Sequence, residues 1–173
     1  VINHHNGEEM VGEKRNVLVE SARIARGEIR DINAIKVDDI DALVFPGGFG
    51  AAKNLSSFAE KGNECDVHPD VMRLVKEFAA KQKPQAALCI APAMMAKIYE
   101  SETDKPTLTI GNDKDGVSMI EAMGSRHQEC TAKEFIFDEK NKIVSTPAYM
   151  VGKSISEVAE GIEKAINKLI NMI

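Results

Sequence analysis

One cysteine in this chain stands where a nucleophile can work. Ala86-Ala-Leu-Cys89-Ile-Ala-Pro-Ala93 is a short apolar run that reads as a buried strand, ends in Cys89, and passes at once into a helical stretch from Pro92 to Glu100. A strand-to-helix turn can hold a nucleophile in a sharp, exposed elbow. The helix N-terminus offers partial positive charge and free N–H groups to a thiolate. Pro92 suits the first turn, where its missing N–H costs nothing. A core cysteine closing a buried strand would fit the same pattern, because free Cys is among the most buried residue types.

A second segment has the same grammar. Ala42 to Phe45 reads as a strand, Gly47, Gly48 and Gly50 as a glycine-rich loop, and Ala51 to Glu60 as a helix. Glycines let a backbone approach a ligand closely and expose its N–H groups. The spacing is not GxGxxG, and no P-loop Lys-Ser/Thr pair is present, so an oxyanion pocket beside a cysteine fits better than a phosphate cradle. A Pro-Gly-Gly turn alone is most often only a turn.

The elements around these segments alternate as in α/β proteins. Helices are expected over 16–25, 69–81, 92–99, 116–123 and 154–173. In the helix over 69–81, Val71, Leu74, Val75 and Phe78 recur at three and four residues. In the last helix, Ile155, Val158, Ala159, Ile162, Ile166, Leu169 and Ile170 form the expected buried stripe. Further strands are expected at 86–88 and 107–110, and 134–138 with 143–146 reads as a hairpin-like pair. Such alternation predicts a mostly parallel sheet covered on both faces, with ligands at the carboxyl ends of its strands. Gly47-Gly48 and Cys89 both fall at such ends.

Pro46-Gly-Gly-Phe-Gly-Ala-Ala-Lys-Asn-Leu-Ser56, Cys89-Ile-Ala-Pro-Ala93 and Thr146-Pro-Ala-Tyr-Met150 together resemble the class I glutamine-amidotransferase-like group of the ThiJ/PfpI superfamily. The nearest branch is that of the ElbB-type glyoxalase-like proteins and their mitochondrial animal relatives. Val1-Ile-Asn-His4, Arg15-Asn-Val-Leu18, Leu108-Thr-Ile-Gly111 and Asn141-Lys-Ile-Val144 extend the likeness over nearly the whole chain. The resemblance implies one domain over 1–173 with a flavodoxin-like three-layer sandwich. It also implies a strand and helix upstream of Val1, bringing an acidic residue close to the cysteine. The chain is therefore expected to lack its true N-terminus.

The chemistry implied is that of a cysteine nucleophile. Cys89 attacks a carbonyl carbon while the backbone N–H groups of Gly48 and Ile90 receive the developing oxyanion. Amidotransferases use a Cys-His-Glu triad, and many superfamily members place His directly after Cys; here that residue is Ile90. His127 is the downstream candidate for a base. His4 and Gly47 are candidates to line the pocket, although a loop histidine bonded to backbone would explain His4 equally. Without a firm triad amide hydrolysis is disfavoured, and the resemblance implies instead an activated small dicarbonyl such as glyoxal, converted to a hydroxy acid without glutathione, cofactor or metal. The alternative is a redox-sensing or binding protein on the same fold, its accessible cysteine oxidising readily. A glutaminase-like subunit is a third reading, disfavoured by the missing Cys-His pair.

Composition narrows the partners. The chain has 173 residues, enough for one sizeable core, and a net charge of −5 without a basic tract, which argues against nucleic acid. No apolar run approaches a membrane span. Cys65, Cys89 and Cys130 suggest neither a disulfide framework nor a CxxC zinc site, and a reducing compartment fits them. His127 and Cys130 form an HxxC pair lacking a second pair to complete a metal site. Homodimerisation is what the resemblance implies. So is the location: cytoplasmic for a bacterial source, mitochondrial for an animal one.

Overall fold

The computed structural model describes residues 1–173. Two compact units are distinguished, Val1–Ile35 and Lys36–Ile173. In the first, an N-terminal turn is closed by the bridge Ile2↔Glu9. It is followed by helix α1, Val17–Ala25, whose cap Asn16 accepts from the Val19 N–H. The helix ends at residue 25 as expected: Arg26 is left-handed at φ 54° and Gly27 follows it.

The second unit holds the sheet. Strands β1 (Leu43–Phe45), β2 (Gln85–Leu88), β5 (Ile136–Asp138) and β6 (Ile143–Thr146) lie in the order β1-β2-β6-β5. β1, β2 and β6 are parallel, and β5 returns antiparallel to β6 as the expected hairpin. The parallel register pairs Phe45 with Ala87 and Leu88 with Thr146. Three strands thus finish at one end of the sheet, and the middle one delivers Cys89.

Alternation of side chains across the strands separates the two faces. Ala86, Leu88 and Val144 pack with Ala165 and Leu169 of helix α7, Ile155–Ile170. Gln85 points the other way, where its Nε2 donates to the Val75 carbonyl of helix α4, Pro69–Ala80 (3.4 Å). Helix α5, Ala91–Tyr99, packs on β2 and against α4 and α6, Lys114–Ala122. The fold is the expected α/β sandwich with a mostly parallel sheet. Val71, Leu74, Val75 and Phe78 are buried as their spacing predicts.

Two expectations are corrected. The helix over 51–60 is broken. Gly48–Gly50 (α2) makes one α-turn, Ala51–Leu55 a π-turn, and the chain then extends at Ser56 before α3, Phe58–Lys61. Ser56 causes the break: its Oγ donates to the Ala51 carbonyl and accepts from the Phe58 N–H, offering the backbone an alternative to the helix. On α7, Ile155 and Ile170 are exposed, as is Ala159, and the buried line runs Val158, Gly161, Ala165, Leu169. Gly161 turns the helix this way. A Cβ there would sit 1.9 Å from the Ala132 carbonyl oxygen, so backbone lies directly on the helix.

A small parallel pair, β3 (Thr107–Leu108) and β4 (Arg126–His127), stands beside the main sheet. Its seam with that sheet is made by side chains. The Thr107 N–H donates to Asp138 Oδ2 at 2.7 Å, and the Thr109 N–H donates to Ser145 Oγ at 3.0 Å. Asp138 also accepts from the Asn141 N–H and Nδ2, so this buried carboxylate is fully engaged.

Candidate functional site

Cys89 sits in the left-handed region at φ 59°, a conformation that few non-glycine residues adopt. Two neighbours hold it there. From β6, the Thr146 carbonyl accepts the Cys89 N–H at 3.0 Å, continuing the β2–β6 ladder one residue beyond the strand. From β1, the Gly47 backbone presses against the turn: a Cβ at Gly47 would lie 2.4 Å from Leu88 O, 2.9 Å from Cys89 Cβ and 3.3 Å from Ile90 N. Gly47 itself is at φ 87°, ψ −142°, where only glycine is at ease. Elbow and loop are therefore interlocked backbones, and their sequences require each other.

The chain leaves Cys89 through Ile90, the N-cap of α5, which supplies no side-chain cap, and Pro92 occupies the first turn. The N–H groups of Gly48 and Ile90 have no acceptor within the chain. Both stand at the ends of neighbouring parallel strands, beside a half-buried thiol. Unclaimed N–H groups at a helix start are the groups that receive a developing negative charge. Gly47, Gly48, Cys89 and Ile90 are thus brought together.

The two histidines are placed differently. His127 lies in β4, half-buried, and its Nε2 accepts from the Ile110 N–H at 3.4 Å. Burial pushes its pKa down, against the raising effect of Glu121 and Glu129. No hydrogen bond links it to Cys89. His4 lies in the exposed N-terminal turn of the first unit.

The other thiols are of another kind. Cys65 is buried, and Cys130 donates to Thr109 Oγ1 at 3.7 Å. Burial pushes both thiols up, which holds them protonated. Cys130 and His127 therefore engage different partners. No group of three or more His, Cys, Asp or Glu side chains converges as a metal site, and no helix is long and apolar enough to cross a membrane.

Sequence reasoning did not single out Thr146 as the residue that anchors the elbow. The signal was its place at the end of the strand parallel to β2.

Comparison with known proteins agrees on the family. No family model matches the chain. The chain is similar to glutamine amidotransferase-like class 1 domain-containing protein 3, mitochondrial, of Homo sapiens, at 39% identity over 99% of this chain and 66% of the relative. The ES1 protein homolog, mitochondrial, of Rattus norvegicus is 38% identical over the same shares. The chain thus spans just under two thirds of the length of these curated relatives. Among solved structures, an isoprenoid biosynthesis protein with amidotransferase-like domain from Ehrlichia chaffeensis superposes with a TM-score of 0.88 at 38% identity, covering all of this chain and 78% of that one.

Proposed function

We propose a cysteine-dependent, glutathione-independent glyoxalase activity for this chain, which belongs to the class I glutamine-amidotransferase-like family. The observation that carries the reading is the Cys89 elbow. A half-buried thiol at φ 59° is clamped between the Thr146 carbonyl and the Gly47 backbone, beside two unclaimed N–H groups. Strain of this kind persists only where surrounding structure over-determines it, and it clusters at functional sites.

The chemistry runs as follows. The Cys89 sulfur adds to one aldehyde carbon of glyoxal, and the oxygen of the resulting hemithioacetal takes up the proton. The Gly48 and Ile90 N–H groups stabilise the negative charge that builds on that oxygen; one such donor is worth about 2.7–4 kcal/mol in other enzymes. A proton moves from the attacked carbon to its neighbour through an enediol, leaving a thioester of glycolate. Water cleaves the thioester, releasing glycolate and restoring the thiol. The net change is addition of one water to glyoxal, with no external oxidant or reductant.

The test is glyoxal turnover without glutathione by the protein and its Cys89→Ala variant. Cys89-dependent turnover at a kcat/KM of about 10⁴ M⁻¹s⁻¹ or more supports a dedicated enzyme. Turnover that survives the substitution excludes this mechanism. The contrast among the three thiols favours one second reading, a redox sensor. Burial keeps Cys65 and Cys130 protonated, which leaves Cys89 as the thiol open to peroxide. Sulfenic acid at Cys89 at peroxide doses that spare the other two, together with absent glyoxal turnover, would favour it.

The mitochondrial names of the human and rat relatives support a mitochondrial setting for an animal source, and the cytoplasm is proposed for a bacterial one. A homodimer with a small carbonyl substrate and no nucleic-acid or membrane partner completes the proposal.

A further inference from the structure

β6 is buried throughout, yet its last two residues carry hydroxyls. A buried hydroxyl is costly unless it is hydrogen-bonded. Both are bonded, and from opposite faces of the sheet, because successive side chains alternate. Ser145 Oγ accepts the Thr109 N–H at 3.0 Å. Thr146 Oγ1 donates to the Glu134 carbonyl at 2.7 Å. That carbonyl belongs to a braced turn over 131–134. The Glu134 carboxylate accepts from the Thr131 N–H at 3.2 Å and from Thr131 Oγ1 at 3.0 Å, and the Glu134 N–H donates back to the Thr131 carbonyl at 3.1 Å. One residue beyond β6, Pro147 packs on Gly111, where an added Cβ would lie 3.1 Å from Pro147 Cβ. The end of β6 is thus fastened residue by residue. The atom it presents to the site is the Thr146 carbonyl oxygen, 3.0 Å from the Cys89 nitrogen. Hydrogen bonds therefore run without a gap from Thr131 through Glu134 and Thr146 to Cys89.

We infer that Thr146 is a positioning residue for Cys89 and acts through its side-chain hydroxyl. Any residue at this position would supply the carbonyl that takes the Cys89 N–H. The hydroxyl makes the residue type matter, because its tether to Glu134 fixes where that carbonyl stands. Without the tether, β6 keeps its pairing with β2 but its end can shift, and the strained turn at Cys89 can relax toward ordinary angles. The sulfur then moves relative to the Gly48 and Ile90 N–H groups. Such a displacement slows attack on a bound carbonyl and leaves binding largely as it was. The inference rests on the glyoxalase reading for its effect on rate, though not for the geometry of the tether.

The test compares Thr146→Val, which keeps the shape and removes the hydroxyl, with Thr146→Ser, which keeps the hydroxyl. The first readout needs no substrate. It is amide hydrogen exchange at Cys89 by NMR, divided by exchange at Ala87 in the same strand, so that a general loss of stability cancels. That ratio should rise about fivefold or more in Thr146→Val, the scale of one net hydrogen bond, and Thr146→Ser should bring it back to within about twofold of the parent. The second readout is glyoxal turnover, in which kcat should fall about tenfold or more in Thr146→Val with KM held within about twofold. Glu134→Ala removes the brace of the turn at an exposed side chain and should raise the exchange ratio by about twofold or more. It decides the matter if Thr146→Val does not fold. An exchange ratio unmoved in the folded variant, no rescue by serine, or a moved ratio with kcat intact would overturn the inference. Absent glyoxal turnover in the parent, with the ratio moved by valine and restored by serine, would overturn the glyoxalase reading and leave the tether standing.

Discussion

Three glycines near one another in sequence should respond to alanine in three different ways, and the differences follow from geometry. Gly50 has helical angles (φ −60°, ψ −44°) and nothing within 4 Å of an added Cβ. Gly50→Ala should leave stability unchanged or raise it by up to about 1 kcal/mol through the unfolded chain. Gly48 also faces open space, but its φ is 73°. Gly48→Ala therefore pays only left-handed strain, about 1–2 kcal/mol. Gly47 combines φ 87° with a Cβ position 2.4 Å from the Leu88 oxygen, where 3.4 Å is the onset of ordinary contact. Gly47→Ala adds about 1–3 kcal/mol of strain to a forced displacement of the elbow by about 1 Å. For a chain of this length that strain alone should lower the melting temperature by about 2–12 °C, and the displacement adds to it. A 1 Å misplacement of a reacting group costs on the order of 10²-fold in rate. The assay is a thermal melt by circular dichroism with glyoxal kcat/KM on the same samples. The expected order of loss is Gly47, then Gly48, then Gly50. If Gly47→Ala melts within 2 °C of the parent, or Gly50→Ala is the worst of the three, the interlocked-backbone account fails.

Other consequences can be checked as directly. Iodoacetamide at neutral pH should label Cys89 before Cys65 or Cys130, whose thiols burial pushes up; equal labelling of all three by mass mapping would contradict this. Gly161→Ala on α7 must push the Ala132 backbone away from 1.9 Å, and a stability loss of at least about 2 kcal/mol by urea titration is expected. Burial lowers the His127 pKa below its ordinary value near 6.5, so the unfolded chain binds the proton first. Stability from this group is present above about pH 6.5 and declines as pH falls from there toward the lowered folded value. His127→Gln should flatten the melting profile in that window, and an unchanged slope would remove His127 as its source.

Much of the fold was legible because most segments say one thing only. Leu74, Val75 and Phe78 recur at helical spacing and are buried, and the β5–β6 hairpin is announced by a polar turn between two short runs. The break at Ser56 was not legible, because its cause is one hydroxyl choosing the Ala51 carbonyl over solvent. Nor was the facing of α7. Isoleucines 155 and 170 carry the hydrophobic signal, yet the packed line runs through Gly161, whose contribution is the absence of a side chain. At the site, Cys89 and the glycine loop were readable from strand-to-helix grammar. Which of two adjacent glycines makes the tight approach was not, since it depends on where β1 ends relative to β2.

The seam between β3 and the main sheet has a consequence for how this fold tolerates change. In a backbone ladder every residue except proline brings the same two bonding groups, so substitutions leave the cross-link in place. Here the acceptors for the Thr107 and Thr109 N–H groups are the carboxylate of Asp138 and the hydroxyl of Ser145. The joint is written in residue identity. Substitution at those two positions removes the polar link between the sheets while each keeps its own strands paired. A pair of single-codon changes there removes both polar cross-links and leaves the joint to apolar packing through buried Leu108 and Ile110.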